Sequence, residues 1–128
     1  MSESAIMARV LMVDDEPDVL LVLKSLFEIE GITAVTINDG NEAVEMIKSQ
    51  EKFDLMISDI RMEPIDGIAL LELARETRST MPVIMVTAYH TPEAARNAIQ
   101  KGAFDYIRKP FDPEELIQSA KKAIESAQ

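Results

Sequence analysis

Two rhythms of hydrophobic residues alternate along this chain. Short apolar runs occur at Val10-Leu-Met-Val13, from Ile32 to Ile37, at Phe53-Asp-Leu-Met-Ile-Ser58, at Val83-Ile-Met-Val86 and at Phe104-Asp-Tyr-Ile107. Between them, apolar residues recur every three or four positions. Val19, Leu23, Leu26 and Phe27 share one helical face; so do Ala43, Met46 and Ile47, and so do Leu116, Ile117, Ala120 and Ile124. A short continuous run suits a strand covered on both faces, and the wider spacing suits a helix lying against it. The pattern predicts an α/β fold in which five strands of a parallel sheet alternate with five helices.

Local signals set the expected boundaries. Pro17 suits the first position of the first helix, and Gly31 suits its stop. Asp39-Gly-Asn-Glu42 has capping-box spacing ahead of the second helix. A loop from Ile60 to Asp66 leads into a third helix from about Gly67 to Arg78. Thr91-Pro92 opens the fourth helix, which ends at Gly102, and Asp112-Pro113 opens the fifth.

Composition narrows the class. The chain has 128 residues, 47% hydrophobic and 28% charged, which suits one soluble domain. Residues 1–8 read as an N-terminal tail, and residues 9–128 as the domain. With no cysteine there is no disulfide framework and no thiolate metal site. No apolar stretch approaches the ~18 residues that span a bilayer. The start, Met1-Ser-Glu-Ser-Ala5, lacks the features of a signal peptide, so a cytoplasmic location is expected. A net charge of -10 argues against direct nucleic-acid binding, which needs a basic footprint.

Function in open parallel sheets gathers where strands end at their carboxyl edge. Asp14 and Asp15 follow the first apolar run, Asp59 the third, Thr87 the fourth, and Lys109-Pro110 the last. Three carboxylates, a hydroxyl and an ammonium should therefore converge. Like charges ~4 Å apart repel by roughly 4 kcal/mol at an effective dielectric of 20. Such a cluster needs a positive partner, and a hard dication with oxygen ligands suits it.

This ordered set resembles the receiver domain of bacterial two-component response regulators, and the likeness runs from about Arg9 to Ala123. The resemblance implies strand order 2-1-3-4-5 in a flavodoxin-like three-layer sandwich. It implies Asp59 as phosphoacceptor, taking a phosphoryl group from a sensor histidine kinase or phosphotransfer protein. Asp15 and Asp59 would ligate Mg²⁺, with Asp14 acting mainly through water and the Arg61 backbone carbonyl adding a ligand. Lys109 and Mg²⁺ would neutralise charge on the transferring group. The Thr87 hydroxyl and the Ala88 N–H would bind a phosphoryl oxygen. Tyr106 stands where the family carries an aromatic that changes rotamer, and Lys109-Pro110 where it carries a cis bond. Arg61 and Tyr89 flank the approach of the hydrolytic water and would slow dephosphorylation. The output would be the face of the fourth helix, fifth strand and fifth helix, read by an effector domain, a target protein or a second copy. Such a domain is a signalling phosphoacceptor rather than an enzyme.

Other readings fare worse. An aspartate-nucleophile phosphatase wants an acid two positions after its nucleophile, and position 61 is arginine. A flavodoxin-like cofactor binder wants a Ser/Thr/Gly-rich phosphate loop where Asp14-Asp15-Glu16 stands. A phosphorylation-independent docking domain would not need the complete acidic, hydroxyl and lysine set. His90 reads as a solvated loop histidine, and Met12, Met56 and Met85 as core filler. In Met62-Glu63-Pro64 the proline falls one position later than the family pattern. The basic residues that pair the dimer face in winged-helix regulators are replaced by Ala95 and Ser119. The segment Gly102 to Phe111 instead resembles receivers attached to ATP-driven transcription activators.

Overall fold

The computed structural model describes residues 8–127, so most of the expected tail, residues 1–7, lies outside the described residues. The elements run β1 (Arg9–Val13), α1 (Pro17–Ile29), β2 (Thr33–Ile37), α2 (Gly40–Lys48), β3 (Leu55–Ser58), α3 (Gly67–Thr77), β4 (Val83–Thr87), α4 (Pro92–Gln100), β5 (Asp105–Arg108) and α5 (Pro113–Ser126). All pairings are parallel, and the strand order is β2-β1-β3-β4-β5.

Alternation along the strands builds two cores, one on each face of the sheet. Val10, Met12, Leu55, Ile57, Ile84 and Val86 point toward α1 and α5 and pack with Leu23, Phe27, Leu116 and Ala120. Leu11, Val13, Met56, Val83 and Met85 point the other way, onto Ala43, Ile47, Leu70, Leu71 and Ala98 of α2, α3 and α4. Strands covered on both sides need apolar residues at every position, hence the unbroken runs.

Expected helix starts are met at Pro17, Thr91 and Asp112. The Thr91 hydroxyl accepts from Ala94 N–H, and Asp112 from Glu114 N–H. Gly31 has φ +79, a left-handed stop to α1. At α2 the spacing misleads in one detail: Asp39 accepts from Asn41 N–H, not from the third residue that a capping box uses. Three strands, β2, β3 and β5, begin later than the apolar runs that announce them. Phe53 packs in the core before β3 begins, and Phe104 lies half-exposed before β5. Ala8, assigned to the tail by pattern, is buried, and its carbonyl accepts from Thr33 N–H.

Candidate functional site

Register places the site. Val13 pairs with Ser58, so the residues that follow, Asp14 and Asp59, emerge side by side. The Asp59 amide donates to the Val13 carbonyl at 3.1 Å, fixing that offset. Thr87 pairs with Arg108 across β4 and β5, and Lys109 follows, its amide bonded to the Thr87 carbonyl at 2.9 Å. Four separate segments thus end on one edge.

Carboxylate oxygens of Asp14, Asp15 and Asp59 all lie within 4.8 Å of one another. Asp14 and Asp59 are buried, at 2% and 8% exposure, whereas Asp15 faces solvent. The Lys109 ammonium sits between the buried pair, 2.6 Å from Asp14 Oδ2 and 3.0 Å from Asp59 Oδ2. Glu16 lies farther out, 3.9 Å from the same nitrogen. The remaining oxygens of the buried pair are held by the backbone. Asp14 Oδ1 accepts from Glu16 N–H at 2.9 Å, and Asp59 Oδ1 from Ile60 N–H at 2.6 Å.

Electrostatics follow from this packing. Burial pushes the Asp14 carboxyl above its ordinary range, and the bonds to Lys109 and Glu16 N–H only partly offset the lost hydration. Burial also works against the Lys109 ammonium, but hydrogen bonds to Asp14 and Asp59 outweigh it and hold the group above its ordinary range. One ammonium beside a cluster of three carboxylates leaves excess negative charge. A small hard cation with oxygen ligands fits that donor set.

Around this centre the structure places the other expected residues. The Thr87 hydroxyl is buried and accepts from Tyr89 N–H at 3.0 Å. Ala88, just past β4, is exposed and borders the same apolar cleft as Lys109, Pro110 and Phe111. Lys109-Pro110 is cis, as the sequence reading expects, and Glu63-Pro64 is cis as well. Tyr106 is half-buried; its hydroxyl donates to the Tyr89 carbonyl, and burial raises its phenol above the ordinary range. Arg61 and Tyr89 are stacked, with Arg61 Cζ 3.7 Å from the ring centroid. Together they wall an open cleft of about 530 Å³ that Asp15, Met62 and Asp66 also line.

The chain matches the model of the response regulator receiver domain over residues 10–121. The chain belongs to this family. Receiver domains are signalling domains, and this one is 38% identical over 116 residues to the DNA-binding transcriptional regulator NtrC of Proteus hauseri. That match covers 91% of this chain but 24% of NtrC, so the receiver domain spans about a quarter of the length of such relatives. A CheY-like receiver domain from Methanospirillum hungatei superposes with a TM-score of 0.89 at 32% identity, covering 95% of this chain and 97% of that one. NtrX from Brucella abortus, solved in complex with ATP, superposes at 0.87 and 32% identity over 95% of this receiver domain and 28% of its own chain. Strand order and layering agree with the CheY-like fold. No helix among the described residues is long and apolar enough to cross a membrane.

Sequence reasoning missed several contacts of the receiver domain. His90 is an exposed loop residue, as the sequence reading expects, but its ring centroid lies 6.1 Å from that of Tyr106. Asp105 accepts from the Ser119 hydroxyl at 2.6 Å, so β5 is tied to α5 at the position where winged-helix regulators carry a basic residue. Lys121 of α5 pairs with Glu30 of α1 at 2.8 Å, a contact between helices far apart in the sequence. Gly67 had no visible signal either. A Cβ there would lie 1.9 Å from the Asp59 carbonyl oxygen, so the absent side chain lets the loop close.

Proposed function

We propose that this receiver domain, residues 9–128, takes a phosphoryl group on Asp59 from a sensor histidine kinase or phosphotransfer protein and passes the signal to an effector. The observation that carries this reading is the Lys109 ammonium held between Asp14 and Asp59, with Asp15 alongside. An Asp59 carboxylate oxygen forms the new bond to phosphorus. The phosphorus–nitrogen bond of the donor phosphohistidine breaks, and its electron pair returns to the imidazole, which takes up a proton. Lys109, already 3.0 Å from Asp59, neutralises charge on the equatorial oxygens. Asp15, Asp59 and the Arg61 carbonyl would hold Mg²⁺, with Asp14 acting through water, and the ion would supply the remaining positive charge. The Thr87 hydroxyl and Ala88 N–H receive a phosphoryl oxygen. Arg61 and Tyr89, both large and both lining the cleft, hinder an in-line water and slow self-dephosphorylation.

Phosphorylation then acts through Thr87 and Tyr106 as a two-state element biased by a local charge. Thr87 turns toward Asp59, Tyr106 follows, and the loop from Ala88 to Thr91 shifts with α4. Because the NtrC relatives are DNA-binding transcriptional regulators, an effector that controls transcription is the partner proposed for the face of α4, β5 and α5. A second copy on that face gives a homodimer. A cytoplasmic location fits such a pathway. Amide NMR spectra with and without beryllofluoride and Mg²⁺ test the reading. Shifts should extend from the Asp59 loop through Ala88 to Ile107. Shifts confined to the Asp59 pocket, or no binding at all, would contradict it.

A further inference from the structure

Tyr89 touches three parts of the site at once. Its amide donates to the Thr87 hydroxyl at 3.0 Å, and its carbonyl accepts from the Tyr106 hydroxyl. Its ring lies against the Arg61 guanidinium at 3.7 Å. Arg61 stands two residues after Asp59 in the loop that leads to α3, so the stack joins the loop after β3 to the loop after β4. Tyr89 is thereby held through its ring by Arg61 and through its main chain by both switching hydroxyls. Thr87 and Tyr106 each move either by giving up a bond to Tyr89 or by carrying Tyr89 along, and carrying it along disturbs the stack.

We propose that the Arg61–Tyr89 stack is a latch on the resting conformation of the switch. It holds the Tyr89 main chain where it binds the Thr87 and Tyr106 hydroxyls, and it is lost when the loop after β4 moves. Arg61 and Tyr89 are positioning residues in this scheme, and the strength of their contact sets how far the resting state is favoured. The inference rests on the phosphoacceptor reading, which supplies the event that moves the loop. A contact made only in the resting state lowers the apparent affinity for any ligand of the active state. Removing it should therefore tighten binding of a phosphoryl mimic, by about two- to fivefold for an exposed cation–π contact.

Beryllofluoride titrations followed by amide NMR at saturating Mg²⁺ test the latch in the wild type, Arg61→Ala, Tyr89→Ala, the double variant and Tyr89→Phe. Each alanine variant should bind the mimic about two- to fivefold more tightly. The double variant should gain no more than either single one, since both break one contact. Tyr89→Phe, which keeps the ring, should return to the wild-type affinity. Before any beryllofluoride is added, the Ala88 to Thr91 amides of the alanine variants should lie part-way along the line from free to bound wild type. Weaker binding in Arg61→Ala and Tyr89→Ala would mean that the pair holds the bound state, and would overturn the latch. So would unchanged affinities or strictly additive gains. A wild type that binds the mimic while the variants match it overturns the latch alone; a wild type that never binds it overturns the phosphoacceptor reading as well.

Discussion

Gly67 carries no functional group, yet the position of Asp59 depends on it. Any Cβ at Gly67 would overlap the Asp59 carbonyl and crowd Met85 Cε at 2.8 Å. Gly67→Ala should cost about 1–3 kcal/mol in urea unfolding, the usual range for overpacking, and should weaken beryllofluoride uptake at Asp59. Gly31→Ala is the control: its φ of +79 strains an alanine by roughly 1–2 kcal/mol, but the space around it is open and uptake should be unchanged. If both variants keep wild-type uptake, the close approach of the two ends of the loop between β3 and α3 is not what positions the site. Hydrolysis gives a second test at this scale. The phosphoryl adduct should decay faster in Arg61→Asn with Tyr89→Ala than in the wild type, each tenfold needing only ~1.4 kcal/mol in the barrier. Equal or slower decay in that double variant would rule out shielding. The acidic residues, Thr87 and Lys109 were legible because each lies within two residues of the end of an apolar run. The partners of Tyr89 were not, because a contact between two loops leaves no periodic trace in the sequence.

Helices and strands differ in how much of them the sequence displays. Continuous apolar runs announced β1 and β4, since both faces of those strands are covered. Edges blurred because an apolar residue beside a strand can still belong to the core, as Phe53 does. Inward faces of helices could be read, but outward ones could not. Leu21, Val22 and Ile29 of α1 are exposed, which the spacing of Val19, Leu23 and Phe27 does not reveal. Contacts between elements were hidden too. Arg78, just past α3, donates to the carbonyls of Ile47 and Ser49 at 2.7 and 2.9 Å, closing the end of α2 across a long sequence gap. Burial also ranks the helices by how firmly they are held. Only Ala98 of α4 is buried, whereas α5 buries Leu116, Ser119, Ala120, Ala123 and Ile124. An element with little buried surface opens at low free-energy cost. Amide hydrogen exchange should therefore be faster in α4 than in α3 or α5, by about tenfold for each 1.4 kcal/mol of difference in opening free energy. Protection in α4 equal to that in α5 would remove the physical basis for a movable output helix.

At the scale of the molecule, a parallel sheet with helices on both faces leaves one edge free for chemistry, and this chain loads that edge with acid. The alternation of elements was legible from periodicity. The strand order was not: it came from the resemblance, because spacing along a chain does not say which strands become neighbours. The excess negative charge makes cation binding a matter of stability as well as chemistry. Mg²⁺ at about a hundred times its dissociation constant should stabilise the fold by about 2.7 kcal/mol, and chelation should reverse the gain. Asp15→Ala should lose most of that response, because Asp15 is the exposed member of the cluster and its removal leaves the buried pair in place. A response unchanged by Asp15→Ala would place the ion elsewhere. The central claim is that Asp59 alone receives the phosphoryl group. Intact mass after incubation with a small-molecule phosphodonor and Mg²⁺ measures it most directly. The wild type should gain one phosphoryl adduct that chelation prevents, and Asp59→Asn should gain none. An adduct of the same yield in Asp59→Asn would contradict the assignment.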